Sequence, residues 1–331
     1  MNKTKVFITV DTEHSIGGAF RYPNLNPVGN EKRIFGKFGN HFYGIPLIMD
    51  IADKYGLPVV FFLEVLNHHY FGKNESRQVC EYILDRGHDV QLHLHPVYLN
   101  FKEDHPECLK FKDNMSFYSL NEQIELLGEG KHLLEEYGVK NVTAFRAGNY
   151  GANIDTLKAL SENGFLFDSS YNLAFPNKSR LISNDVFNDI TKIEGIFELP
   201  ITCFNEKLPL LVNKVVPMDI NAASFSEMKE MLIYASKNNF KCVTIIFHSF
   251  SFYIGKDLQY TDAHIIDKTI TKFKKLCHFL SENKDSFLVQ NFCTLRADQS
   301  IANKNILPKI GHIPLIENHL EKIISRLRYG Q

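Results

Sequence analysis

The chain has 331 residues, enough for one large α/β domain or two ordinary ones. Its 44% hydrophobic and 23% charged content is that of a soluble globular protein, and a formal net charge of −1 without a long like-charge block argues against a nucleic-acid binder. The longest apolar runs, residues 59–63 and 243–247, are far too short to span a bilayer.

In chain order, Met1-Asn2-Lys3-Thr4-Lys5 leads directly into an apolar run, with no leader or small-residue cleavage site, so no signal peptide and a cytoplasmic location are expected. The run at 5–10 is β-branched and reads as a buried strand that stops on Asp11 and Glu13. Residues two apart on a strand share a face, so both carboxylates can converge on one point. Such acids are costly to bury unless a cation meets them, although strand-end acids also cap helices or solvate loops. Further strands are expected at 58–63, 90–94, 142–145, 165–167, 196–199, 242–247 and 286–292. Helices are expected at 44–55, 75–86, 120–137, 153–163, 225–238, 263–281 and 315–327. Ser119 and Ser224 stand as N-caps, and Gly138 and Gly164 as C-terminal stops. Cys80, Cys108, Cys203, Cys242, Cys277 and Cys293 are scattered without a Cys-x-x-Cys pair, which reads as reduced thiols and not as a disulfide frame or a thiolate zinc site.

Alternation of strands and helices implies a mainly parallel sheet, closed as a barrel or doubly wound. Helix-to-strand loops are short, whereas the strand-to-helix loops at 14–43, 95–119, 168–191 and 249–262 are long. In a barrel those long loops share the C-terminal face, where active sites sit. No linker is visible. Residues 1–300 therefore read as one domain, and 301–331 as a helical extension that packs on the barrel or on a partner subunit, with a membrane-surface helix as the alternative.

Ionisable residues end strand after strand: Asp11 and Glu13, then Glu64, then His93 with His95-Pro96, then Arg146, Asp168 and His248. His93 and His95 share a strand face. With a carboxylate they make a two-His, one-carboxylate set that suits zinc or another divalent ion and leaves a position for water.

These residues carry a resemblance. Thr9-Val10-Asp11-Thr12-Glu13, the 58–62 strand, Gly87-His88-Asp89-Val90 with His93 and His95-Pro96, Phe145-Arg146-Ala147-Gly148-Asn149-Tyr150-Gly151, Gly164-Phe165 through Asp168-Ser169-Ser170, and Ile246-Phe247-His248 resemble, in order, the motifs of the polysaccharide deacetylase superfamily (carbohydrate esterase family four and cytoplasmic relatives). The match spans roughly residues 5–250. It implies a single-domain distorted (β/α)7 barrel and one divalent metal ion, zinc first, with nickel, cobalt or iron as alternatives. It implies Glu13, His93 and His95 as metal ligands, Asp11 as general base, Arg146 orienting Asp11, and His248 as general acid tuned by Asp168. Tyr150, Glu64, His14, Tyr98 and Asn149 are expected at the substrate. The spacing departs from the common pattern. Here the first motif is Asp-x-Glu instead of adjacent aspartates, the histidines are two apart instead of four, and the arginine motif has an extra residue before Tyr-Gly.

The function implied is hydrolysis of the N-acetyl group of an amino sugar in a cell-surface glycan precursor, free, nucleotide-linked or lipid-linked, with deformylation or a metal-independent amidase as variants. From other classes, Asp11 with Glu64 could be the carboxylate pair of a (β/α)-barrel glycosidase, or the chain could be a non-catalytic binding protein. No nucleic-acid partner and no transmembrane segment are expected; a homo-oligomer is open. Loop aromatics such as Phe20, Phe38, Phe101 and Phe250 could stack on sugars or form small cores under the loops.

Overall fold

Everything hydrogen-bonds outward from the first strand. The computed structural model describes residues 3–206, 214–296, 299–302 and 306–311. Seven parallel strands, β1 (Thr4–Thr12), β2 (Val60–Glu64), β3 (Asp89–Leu94), β4 (Ala144–Ala147), β5 (Phe167–Asp168), β6 (Ile196–Glu198) and β7 (Cys242–His248), line up in the order β7-β1-β2-β3-β4-β5-β6. An antiparallel strand, Thr191–Ile193, edges β6. A further strand, β8 (Phe287–Val289), pairs with β1 at Thr4 to Val6, on the edge that β2 takes over at Thr9 to Thr12. The gap between β6 and β7 is bridged by irregular chain. There Thr202 N–H donates to Thr244 O at 3.2 Å, and Ile246 N–H to Met218 O at 3.0 Å. The result is the distorted (β/α)7 barrel expected from the motif order.

Helices α1 (Ile45–Lys54), α2 (Lys73–Asp85), α3 (Leu120–Glu136), α4 (Ile154–Glu162), α5 (Phe225–Lys237) and α6 (Asp267–Glu282) are the helical connections. The sequence-expected caps hold: Ser119 and Ser224 each close a capping box, with Glu122 and Glu227. Helix α6 starts later than the 263–281 pattern suggests, because Ala263–Ile265 pairs with Tyr253–Gly255 as a hairpin. Two more short strands, Cys203–Glu206 and Val215–Pro217, form a separate sheet with Lys309–Ile310. The helix expected over 315–327 lies outside the described residues. All six cysteines are unpaired, and no helix among the described residues is long and apolar enough to cross a membrane.

Strand alternation sorts the core into two layers. Val6, Ile8 and Val10 point outward, into the large cluster shared with the helices. Phe7 points inward and joins Val60, Phe62, Ala144, Phe167, Phe197 and Phe292 in a second cluster inside the barrel. Phe292 closes its floor, its ring 4.8 Å from Phe7, 5.6 Å from Phe62 and 5.8 Å from Phe167. Above this apolar floor the inward positions of the same strands turn polar.

Asp89 fastens the tail to the barrel. Its Oδ2 accepts from the N–H of Phe292 at 2.8 Å and of Cys293 at 3.1 Å, and its Oδ1 from Gln91 Nε2 at 2.9 Å. Burial pushes its pKa up to about 6 from 3.8, against the pull of those donors. An acid whose pKa is raised by folding binds its proton more tightly in the native state. Stability should therefore fall as pH rises from about 3.8 to about 6 and change little from this group above that window. Urea midpoints at the two ends of the window should show a smaller drop for Asp89→Asn than for the wild type; equal drops would remove Asp89 as the cause.

Candidate active site

The inward ends of β1, β2, β3, β4 and β7 deliver polar groups. On β1, Phe7, Thr9, Asp11 and Glu13 alternate inward, and Asp11 stands opposite His248 of β7 in register. On β2 it is Glu64, opposite His93 of β3, which in turn stands opposite Arg146 of β4. Asp11 meets Arg146, while Glu13, two residues on, meets His93 and His95.

Arg146 is fully buried, with Nη1 donating to Asp11 Oδ1 at 2.6 Å, Nε to Ser169 O at 3.0 Å and Nη2 to Ser169 Oγ at 2.9 Å. Its guanidinium lies 4.2 Å from the ring centroid of Phe62. The carboxylate of Asp11 is thus fixed by charge and by packing.

Glu13, His93 and His95 bring one ligand atom each to within 4.8 Å of one another. His93 Nε2 is 3.6 Å, and His95 Nε2 2.6 Å, from Glu13 Oε2. The opposite ring nitrogens are both engaged: His93 Nδ1 with Arg146 O at 2.7 Å and His95 Nδ1 with Asp113 Oδ2 at 2.8 Å. A carbonyl oxygen only accepts, so His93 Nδ1 carries a proton, and Nε2 is the ring nitrogen that faces the Glu13 carboxylate. Such engagement of the second ring nitrogen is how metal-binding imidazoles are oriented. The donor set fits a divalent ion. Without one, burial works against charge on His95, but Asp113 and Glu13 on its two sides hold its pKa well above the usual value; Glu13, raised by burial, is pulled well below its usual value by His95 and His93.

Gly148 is required where it stands, since a Cβ there would lie 2.6 Å from the His95 ring. The next residues, Asn149 (φ 54°) and Tyr150 (φ 53°), are left-handed, an expensive conformation for a tyrosine that tends to mark functional sites. Tyr150 is half-buried and stacks 5.1 Å from Phe175, and exposed Asn149 donates to Asp113 Oδ2 at 2.7 Å.

Three expected substrate contacts are corrected. The side chain of His14 is fully enclosed, with Nε2 hydrogen-bonded to Asn30 Oδ1 at 2.8 Å and Nδ1 to Asn67 Nδ2, and burial pushes its pKa down to about 4. Glu64 is wholly buried and spends both carboxylate oxygens on the N–H groups of Leu66 and Asn67, at 2.7 and 3.0 Å. Burial raises its pKa to about 8. Tyr98 is buried at 2% exposure and offers no surface at the mouth.

Asp168 is also corrected. In register it stands opposite Phe145, an outward position, while Ser169 takes the inward one beside Arg146. It therefore pairs with Glu198 on the helix side, where Ser170 Oγ donates to it at 2.7 Å and burial raises both carboxyl pKa values, that of Glu198 further because Asp168 adjoins it. Asp219, whose backbone bridges to Ile246, is a further buried carboxylate near His248: burial raises its pKa, while the Asn221 N–H and then His248 draw it down.

Sequence reasoning missed Asp219, Asp113 and Arg33. Asp113 and Asp219 come from irregular chain and Arg33 from the single-turn helix Asn30–Arg33 within a long connection, where no periodicity marks them. Arg33 Nη2 reaches Glu13 Oε1 at 3.6 Å, with its guanidinium 3.1 Å from the centroid of Phe250. Other loop aromatics form small cores, such as Phe20 with Phe101 at 5.2 Å. Removing the support of His95 by Asp113→Ala should weaken affinity for a divalent ion by about 10–100-fold, measured by competition with a chromogenic chelator; unchanged affinity would take Asp113 out of the site.

No protein-family profile and no curated protein matches the chain. Among solved structures, one from Mycobacterium smegmatis described as a candidate polysaccharide deacetylase is 15% identical, covers 87% of each chain and has a TM-score of 0.48. A family 4 carbohydrate esterase from Streptomyces lividans is 10% identical over 88% of this chain and 93% of its own, at a TM-score of 0.43. A 4-alpha-glucanotransferase from Thermococcus litoralis is 10% identical over all of this chain and 47% of its own, at 0.53. Likeness at such identity is likeness of fold alone. The glucanotransferase match supports a shared fold and nothing further. What the chain does must be argued from its own side chains.

Proposed function

We propose that the chain is a metal-dependent hydrolase that removes an N-acetyl group from an amino sugar of a cell-surface glycan precursor. One observation carries the reading: an imidazole–imidazole–carboxylate set, Glu13, His93 and His95, lies beside a second carboxylate, Asp11, fixed by buried Arg146. A divalent ion held there would lower the pKa of bound water and polarise the amide carbonyl. Asp11 would take the water proton, and Arg146 fixes which oxygen stays free to do so. His248, opposite Asp11, would donate a proton to the departing amine, with Asp219 at its side. Backbone N–H groups near Tyr150 are the candidate oxyanion donors.

A glycosidase reading gains from the barrel shared with a glucanotransferase but loses at the site. Glu64 is committed to two backbone N–H groups, and the reading gives the paired histidines no work.

The test is metal analysis joined to product analysis. The purified protein should hold zinc, nickel, cobalt or iron, and His93→Ala and His95→Ala should each lose one equivalent relative to the wild type while staying folded. Acetate should be released from nucleotide- or lipid-linked amino sugars in preference to chitin oligomers or peptidoglycan. Unchanged metal content in both variants overturns the ligand set; preference for polymer overturns the precursor assignment.

A further inference from the structure

A second cluster of metal-ligating side chains lies apart from the barrel interior. The short helix His68–Phe71 follows β2 and packs near α3, which carries Glu129. His68 Nε2 is 2.7 Å from Glu129 Oε1, and His69 Nε2 is 3.2 Å from the same oxygen. These ligand atoms also fall within 4.8 Å of one another. The contact to His68 is an aligned hydrogen bond, whereas His69 Nε2 is buried with no hydrogen-bond partner among the described residues. Its nitrogen is near the carboxylate without aiming a proton at it, which is the geometry of a donor turned toward a shared point.

The ring centroids of His68 and His69 lie 3.9 Å apart with the planes tilted by 42°, so charging both would crowd two cations over a single carboxylate. A neutral pair with one cation among three ligand atoms avoids that repulsion and satisfies His69 Nε2. Glu129 also borders a cavity of about 200 Å³ lined by Asp104, Glu122, Glu125, Lys102 and His105. His105 Nε2 is likewise buried without a partner, and the carboxylates outnumber the single lysine, so the approach favours a cation.

We propose that His68, His69 and Glu129 bind a second divalent ion, of the class that takes two imidazoles and a carboxylate, with zinc preferred. The ion clamps the helix His68–Phe71 to α3, and a water from the cavity completes its shell. The clamp matters to the barrel mouth. The preceding residue, Asn67, contacts His14, accepts from Ser76 Oγ at 2.7 Å, and with Leu66 receives the Glu64 carboxylate.

The experiment uses the full chain, stripped by chelator and titrated with Zn²⁺, with Co²⁺ absorption as a second readout and circular dichroism to confirm folding. Wild type should bind two equivalents, His95→Ala one, Glu129→Gln one, and the double variant none. Zn²⁺ should raise the melting temperature of His95→Ala but not that of the double variant. His68→Ala serves as a second probe of the same site. Two equivalents in both Glu129→Gln and His68→Ala, or none in His95→Ala, overturns the proposal. One equivalent in wild type that survives His95→Ala and vanishes in Glu129→Gln would sustain this site and defeat the other.

Discussion

Asp11→Asn is expected to cut turnover by roughly 10²–10⁴ while metal content stays at the wild-type level. Asn keeps the shape of Asp and an oxygen that can accept from Arg146 Nη1, now 2.6 Å away, but it cannot accept the proton of water. The proposed ligands, Glu13, His93 and His95, do not include Asp11, so occupancy and KM should move little. His248→Ala should show a comparable loss, as the proposed donor to the leaving amine. Single-turnover acetate release together with metal content separates the outcomes. A near wild-type rate in Asp11→Asn removes it as the base, and loss of the ion would make it a ligand.

The second large effect is on stability. Arg146→Met should destabilise the fold by about 3–5 kcal/mol, because it leaves the Asp11 carboxylate buried and uncompensated. Asp11 is 4% exposed and Arg146 0%, so solvent does little to screen the loss. Ser169 also loses two hydrogen bonds. The double variant Asp11→Ala/Arg146→Met should recover part of the deficit, since removing both charges ends the burial of an unpaired one. Urea denaturation decides it: a double variant no more stable than Arg146→Met would show that the cost comes from the lost packing on Phe62 and the Ser169 bonds.

Much of this arrangement was legible in residue order. Period two along 5–13 places Phe7, Asp11 and Glu13 on one side and Val6, Ile8 and Val10 on the other, as observed. The helix starts at Ser119 and Ser224 are local chemistry, readable without tertiary knowledge. Asp168 misled because β5 is only two residues long, and the face each residue takes is set by register against β4, which the sequence does not display. His14 and Glu64 sit at strand ends like true site residues. Their role as buried turn and loop anchors emerges only once Asn30, Leu66 and Asn67 are placed around them. Asp113 and Asp219 lie on irregular chain and Arg33 on a single helical turn inside a long connection, where position depends on the whole scaffold.

The pairing of β1 also governs how the chain assembles over time. Lys5 of β1 is hydrogen-bonded in register with Cys242 of β7 on one side and Leu288 of β8 on the other, partners from the far end of the chain. During synthesis, β1 therefore waits for strands made much later. Until then β1 presents the whole edge that β7 will take, the Thr4–Val6 part of the other, and an apolar face, a template for pairing between nascent chains. With so much of the sheet closing over such sequence separations, refolding should be slow and should lose yield steeply as protein concentration rises.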